Sequence, residues 1–226
     1  MPKLFLLFVF ISTNLLLGQG QLLPKLKSGL LLNSSYSNVE GGNGIGVGFG
    51  YSFKGIIEIG ILFANGSSTL ENDNFLNELE IDYKTVVPMV SLNLYKGNTN
   101  NDNITVGVDL GLSVEINSFK INAGKDFLSG AQIINNQKGT FINLGPLLYL
   151  TYFKERIGFS PYLNLRYTLG SSIGSVDIIT NYFSVGIGIV GAYEVSDKLL
   201  VTPSLSLSLV NGSSIFGIGL GALLRM

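Results

Sequence analysis

Residues 103–117 read Asn-Ile-Thr-Val-Gly-Val-Asp-Leu-Gly-Leu-Ser-Val-Glu-Ile-Asn. Ile104, Val106, Val108, Leu110, Leu112, Val114 and Ile116 are apolar, and every residue between them is polar or small. An extended strand sends alternate side chains to opposite faces, so this segment has one greasy face and one polar face. A helix would scatter both kinds around its surface.

Working outward, the same period recurs. In 44–53, Ile45, Val47, Phe49, Tyr51 and Phe53 alternate with Gly44, Gly46, Gly48, Gly50 and Ser52. The stretches 159–170, 199–209 and 216–226 repeat it. One face carries nearly all the bulk. The other is glycine, serine, asparagine and a few charges. A core of glycine and serine buries too little apolar area to hold a soluble sandwich or barrel together. The pattern makes physical sense when the bulky face meets lipid. The expected fold is all-β, a transmembrane antiparallel up-and-down barrel of about ten strands, with eight or twelve also compatible with the spacing.

The expected strands cover 25–36, 43–53, 55–64, 81–95, 103–117, 140–153, 157–170, 181–194, 198–209 and 214–226. The connections alternate between short ones and the longer 65–80, 117–139 and 171–180. In bacterial barrels the short turns face the periplasm, and an even strand count returns both termini there. Tyr51, Phe53, Phe63, Tyr152, Phe159, Tyr167, Phe183, Tyr193 and Phe216 lie near strand ends and suit interfacial girdles.

Composition agrees. Of 226 residues, 46% are hydrophobic and only 13% charged. The net charge of −1 offers no electrostatic case for nucleic acid. After residue 20 no apolar run approaches the ~18 residues that a spanning helix needs. Residues 1–20 read differently: Lys3, a mostly apolar run from Leu4 to Leu17, then Gly18-Gln19-Gly20. This is the pattern of a cleavable signal peptide, with a mature chain from near Gln21. The expected organisation is a signal peptide over 1–20 and one outer-membrane barrel domain over 21–226. Outer-membrane lipid and the barrel-insertion machinery are its expected partners.

The segment Leu26-Lys27-Ser28-Gly29-Leu30-Leu31-Leu32-Asn33-Ser34-Ser35 resembles the first strand of the PorT-type outer-membrane barrel domain of Bacteroidota. The glycine-rich hairpin Gly44 to Ala64 and the proline-bearing Val86-Val87-Pro88-Met89-Val90 resemble its later strands. The resemblance implies a location and a fold, and no reaction. Two departures stand out: Leu31 occupies a position where small residues are usual, and the chain closes on Arg225-Met226 rather than an aromatic residue.

The chain contains neither cysteine nor histidine. Histidine is the usual general base at neutral pH, and a serine nucleophile needs such a base beside it. Thiolate and imidazole metal sites are excluded as well. No enzymatic activity and no cofactor are expected. Gly44, Gly46, Gly48 and Gly50 lie in a strand without the lysine or following helix of a phosphate loop. The loop carboxylates Glu71, Asp73, Glu78 and Glu80 could in principle ligate calcium, but no EF-hand spacing links them, and they read as a solvated loop.

By the alternation, Lys27, Glu58, Asp109, Glu115, Arg166, Glu194 and Arg225 face the lumen. A charge in a filled lumen needs a partner or water, so an interior network is expected, with Asp109 beside Arg166. Tyr83, Tyr95, Tyr149, Tyr162 and Tyr182 also point inward by period, where rings would cover strand glycines. Gly107, as a lumen position, is expected to accept serine more readily than Val108 accepts arginine. An eight-stranded barrel is just filled by side chains, and ten strands lie near that limit. The expected role is a structural or surface-interaction barrel with a filled lumen. The alternative is a narrow pore for small solutes or ions.

Overall fold

The computed structural model describes residues 20–23, 27–39, 42–70, 79–98, 103–125, 132–170, 181–210 and 213–226. They form a closed antiparallel barrel of ten strands. The strands are β1 Gly29–Val39, β2 Gly42–Phe53, β3 Ile57–Leu70, β4 Leu79–Asn98 and β5 Ile104–Lys125, followed by β6 Gln132–Lys154, β7 Ile157–Gly170, β8 Tyr182–Ser196, β9 Leu199–Val210 and β10 Ser213–Arg225. Each strand pairs with its sequence neighbours. β1 closes the wall against β10 in a register running from Gly29 opposite Arg225 to Val39 opposite Ile215. Closure leaves no unpaired edge, the condition for a sheet to stand in hydrocarbon. The expected signal segment lies, but for Gly20, outside the described residues.

The alternation sorts the two faces as read. Outward, Leu30, Leu32, Phe49, Ile59, Leu112, Leu148, Ile187 and Leu207 are exposed, among about forty large apolar side chains on the surface. Inward, Asn33, Ser35, Ser113, Asn143, Thr168, Ser204 and Ser208 are buried. On β5 the outward apolar residues run from Ile104 to Ile116. That is about 40 Å of strand, or roughly 30 Å of height at a tilt of about 40°, which matches a bilayer's hydrocarbon core. Tyr51, Phe53, Tyr152, Phe159 and Tyr193 gather near the end with the short turns. The Tyr152 and Phe159 rings lie 5.3 Å apart. Tyr167 pairs with Phe183 towards the opposite end.

The turn between β2 and β3 shows why four residues suffice. Lys54 and Gly55 both take positive φ, 53° and 62°, and the Ile56 amide donates to the Phe53 carbonyl at 2.9 Å. Two consecutive left-handed residues match the right-handed twist of the flanking strands. The short turns at 53–57, 154–157 and 196–199 share one end of the barrel with Gly29 and Arg225.

Four strands are longer than the apolar pattern indicates. β3 continues to Leu70, β4 begins at Leu79, β5 reaches Lys125 and β6 begins at Gln132. Most of the expected loops 65–80 and 117–139 is therefore sheet. Only 71–78 and 126–131 of them lie outside the described residues. The reason is solvent: past the lipid boundary the outward face is wetted, so greasy alternation stops while the backbone ladder continues. Glu80 belongs to β4, and Glu71, Asp73 and Glu78 lie outside the described residues.

A register shift between Asn93 and Tyr95 in β4 overturns another expectation. An extra residue in one strand inverts the faces beyond it. Tyr95 consequently stands on the exterior, 58% exposed, and Lys96 turns inward.

Candidate functional site

Among the described residues the lumen gathers most of the expected site residues, and from the short-turn end it is built in tiers. The first tier is apolar. Leu31, Leu147, Tyr149, Tyr162, Val190, Ala192, Leu200 and Leu223 form one buried cluster, and Leu22 and Leu23 complete it. The latter two come from outside the wall. Gly20–Leu22 forms a 3-10 turn, and Gln21, Leu22 and Leu23 are each at most 2% exposed. The segment is therefore inserted into the barrel mouth. Leu31 is part of its seat. The sequence signal was visible in Leu31, Leu200 and Leu223 at inward positions. It lacked any indication of what they would pack against.

Lys96 secures the segment. Its ammonium donates to the Leu23 carbonyl at 2.5 Å and to the Gln21 carbonyl at 3.4 Å. The Thr151 hydroxyl reaches the Gln21 carbonyl at 3.5 Å and shares a 2.7 Å hydrogen bond with Ser160. A chain entering a barrel exposes backbone carbonyls that no strand pairs, and a lysine among them both satisfies and fixes them.

The second tier holds Asp109 and Glu58. The Asn93 amide donates to Asp109 Oδ1 at 2.6 Å and lies 2.9 Å from the Tyr149 hydroxyl. Lys96 is the cation acting on both carboxylates. Lys96 thus links the inserted segment to the acidic pair, a role no period-based reading could assign because the bulge inverts its face.

The third tier centres on Glu115. The Asn143 amide donates to Glu115 Oε1 at 2.8 Å and lies 3.3 Å from the Ser113 hydroxyl, and the Thr168 hydroxyl donates to Asn143 Oδ1 at 2.6 Å. Arg166, buried, has Glu115 as its first electrostatic partner, with Tyr182 and Tyr162 beside it. The Thr85 hydroxyl donates to Asn117 at 2.5 Å further along.

The seven expected lumen charges are thus divided. Glu58 and Asp109 share one tier, and Glu115 and Arg166 another. Glu194 and Arg225 form a 2.9 Å ion pair at the short-turn rim, where the guanidinium lies 5.9 Å from the Phe153 ring centre. Lys27 precedes β1, is exposed and joins none of them. The expected pairing of Asp109 with Arg166 gives way to Asp109 with Asn93 and Lys96, and Arg166 with Glu115. Strand register sets the levels: Asp109 faces Leu147, whereas Glu115 lies opposite Phe141, earlier in β6 and so further from the short-turn end.

Aromatic rings cover several of the inward glycines. A β-carbon added to Gly107 would overlap the Tyr149 phenol, one on Gly66 the Tyr83 phenol, and one on Gly188 the Tyr162 phenol. Serine at Gly107 would therefore have to displace a buried ring that bonds Asn93. Among the described residues no group of three histidine, cysteine or carboxylate side chains could hold a metal ion. Chemically, the arrangement neutralises charge and fills space.

No family model matches this chain, and no curated protein does. Solved barrels are similar to it in shape. The translocator domain of the autotransporter NalP from Neisseria meningitidis matches at 10% identity and TM-score 0.48, covering 90% of each chain. An outer membrane channel from Pseudomonas putida matches at 10% identity and TM-score 0.44, over 92% of this chain and 98% of that one. Ail from Yersinia pestis, solved with a heparin analogue, matches at 12% identity and TM-score 0.35, over 90% of this chain and all of that one. Likenesses at this distance assign no role.

Proposed function

We propose that the chain is an integral outer-membrane barrel with a structural or surface-interaction role and an occluded lumen. The observation that carries it is the burial of Gln21, Leu22 and Leu23 inside the short-turn mouth, clamped by Lys96. A barrel built to conduct would leave that mouth to water. Instead, an apolar cluster and a chain segment fill it.

Location rests on the exterior. About forty large apolar side chains are exposed there. At about 1 kcal/mol for each half-exposed group, lipid contact stabilises the barrel by tens of kcal/mol. Net folding stability is only about 5–15 kcal/mol, so a barrel carrying this surface belongs in a bilayer. The short-turn end, which also carries both ends of the wall, is assigned to the periplasm, and the long β4, β5 and β6 project outside the cell. The PorT-type kinship proposed from β1 is compatible with this arrangement. Without histidine the lumen's serines lack the usual general base, and without cysteine it carries no thiol nucleophile.

Planar-bilayer recording of the refolded protein tests the reading. The expected result is no unitary steps. Stable, ion-selective steps from the unmodified chain would instead establish the narrow pore.

A further inference from the structure

The exterior changes character abruptly on the side formed by β3 to β6. The last apolar row there is Phe63, Val86 and Ile116, aligned in register. The next outward row is Asn65, Lys84, Ser118 and Lys138, and the one above it is Ser67, Asp82, Lys120 and Asn136. All eight side chains are exposed. Three lysines stand against one aspartate, and none of the four forms an ion pair among the described residues.

Depth decides what this patch meets. Lys84 lies two residues beyond Val86, about 5 Å in height on a tilted strand. A bilayer has a hydrocarbon core of ~30 Å inside ~40–45 Å overall, which leaves about 5–8 Å of headgroup on each side. Lys84 and Lys138 fall in that layer, with Lys120 just above it. The surface is also grooved. A groove of about 680 Å³ runs between the lysines, lined by Lys84, Lys120, Lys138, Asp82 and Asn65. A second of about 370 Å³, lined by Ile45, Val47, Phe63 and Val86, adjoins it, and the two share Asn65 and Lys84. One is basic at headgroup height and the other apolar at acyl-chain height. An occupant filling both is amphiphilic, with an anionic head above a hydrocarbon tail.

We propose that the β3–β6 face is a binding site for a phosphorylated glycolipid of the outer leaflet, with Lys84, Lys120 and Lys138 on its phosphates and Phe63 and Val86 against an acyl chain. The inference rests on the outer-membrane reading and its sidedness. The site would anchor the barrel in its leaflet and hold the projecting strands at a fixed height.

The test uses the protein refolded into phosphatidylcholine vesicles containing a few per cent of diphosphorylated lipid A, with dephosphorylated lipid A in parallel. Native mass spectrometry of the extracted barrel scores retained lipid. The unmodified protein is expected to retain the phosphorylated form selectively. Combining Lys84→Gln, Lys120→Gln and Lys138→Gln should reduce retention tenfold or more, given about fivefold per lysine near an anionic surface. The control combines Lys54→Gln, Lys154→Gln and Lys198→Gln, all exposed at the opposite rim, and should retain lipid like the parent. Equal retention of both lipid forms, or an equal loss in the control, overturns the site. So does tight binding of the deacylated phosphorylated sugar, which would assign the face to a soluble polyanion. Heat-modifiable mobility on gels is read first. Failure to insert would refute the membrane reading itself, whereas insertion without selective retention refutes the lipid site alone.

Discussion

Replacing Leu22 and Leu23 together by alanine should release the inserted segment without unfolding the barrel. Both side chains are at most 2% exposed, and the wall of ten strands is closed without them. Each substitution removes three carbons, worth about 0.8 kcal/mol apiece, so the pair removes about 5 kcal/mol of transfer free energy. The released segment is not fully extended in water, which lowers the figure to roughly 3–4 kcal/mol. The docked state is held by little more than that. Ordering three residues costs about 3–6 kcal/mol, which the leucines and the Lys96 hydrogen bonds must offset. The population of the undocked state should therefore rise by two to three orders of magnitude, at tenfold per ~1.4 kcal/mol. The chain has no cysteine, so a single probe is clean. Gln21→Cys, labelled from the short-turn side with a membrane-impermeant maleimide, reports undocking through its rate. Lys27→Cys, exposed just before β1, gives the rate of an open site. The expected order is slow labelling of Gln21→Cys in the parent, and a rate within tenfold of Lys27→Cys once both leucines are alanine. If Gln21→Cys in the parent already labels as fast as Lys27→Cys, the segment is not seated, and the occluded-lumen reading falls with it.

Two further predictions concern the wall and the interior. Val108→Arg, on the lipid face near the middle of the apolar band that β5 carries from Ile104 to Ile116, should destabilise folding in vesicles by about 2–4 kcal/mol. Gly107→Ser should also cost about 1–3 kcal/mol, because the Tyr149 ring must move and its bond to Asn93 is strained. Urea titrations that show serine to be silent there would refute the aromatic cover. In a double-mutant cycle, Glu115→Gln and Arg166→Gln should couple by about 1–3 kcal/mol, while Asp109→Asn and Arg166→Gln should be additive within ~0.5 kcal/mol. The reverse ranking would restore the single interior network.

How much of this was legible depends on whether a feature is local. The alternation at Ile104 to Ile116 depends only on strand geometry, so it identified the barrel, the lipid face, and the inward placement of Glu58, Asp109, Glu115 and Arg166 without any knowledge of neighbours. It failed where the environment rather than the backbone sets the pattern. Beyond Phe63, Val86 and Ile116 the sheet continues in water, and polar residues on a wetted outward face look like loop. The same stretch then carried a lysine patch whose alignment exists only across strands, since Lys84 and Lys138 meet through the β5 register.

By itself the sequence determined that this chain closes a sheet with bulk outside and small polar residues inside: period two separates the two kinds of side chain onto opposite faces, and a core of glycine and serine would bury too little apolar area for the reverse arrangement. The tertiary structure alone decided three things. One unpaired residue between Asn93 and Tyr95 sent Tyr95 outward and Lys96 inward. Register around the closed wall set Glu115 beside Arg166 and Asp109 beside Asn93. The segment ending at Leu23 found its seat among Leu31, Leu200 and Leu223, which come from three different strands. Each depends on which residues stand at one height on different strands, and that height is a sum of tilt, shear and bulges taken around the whole barrel.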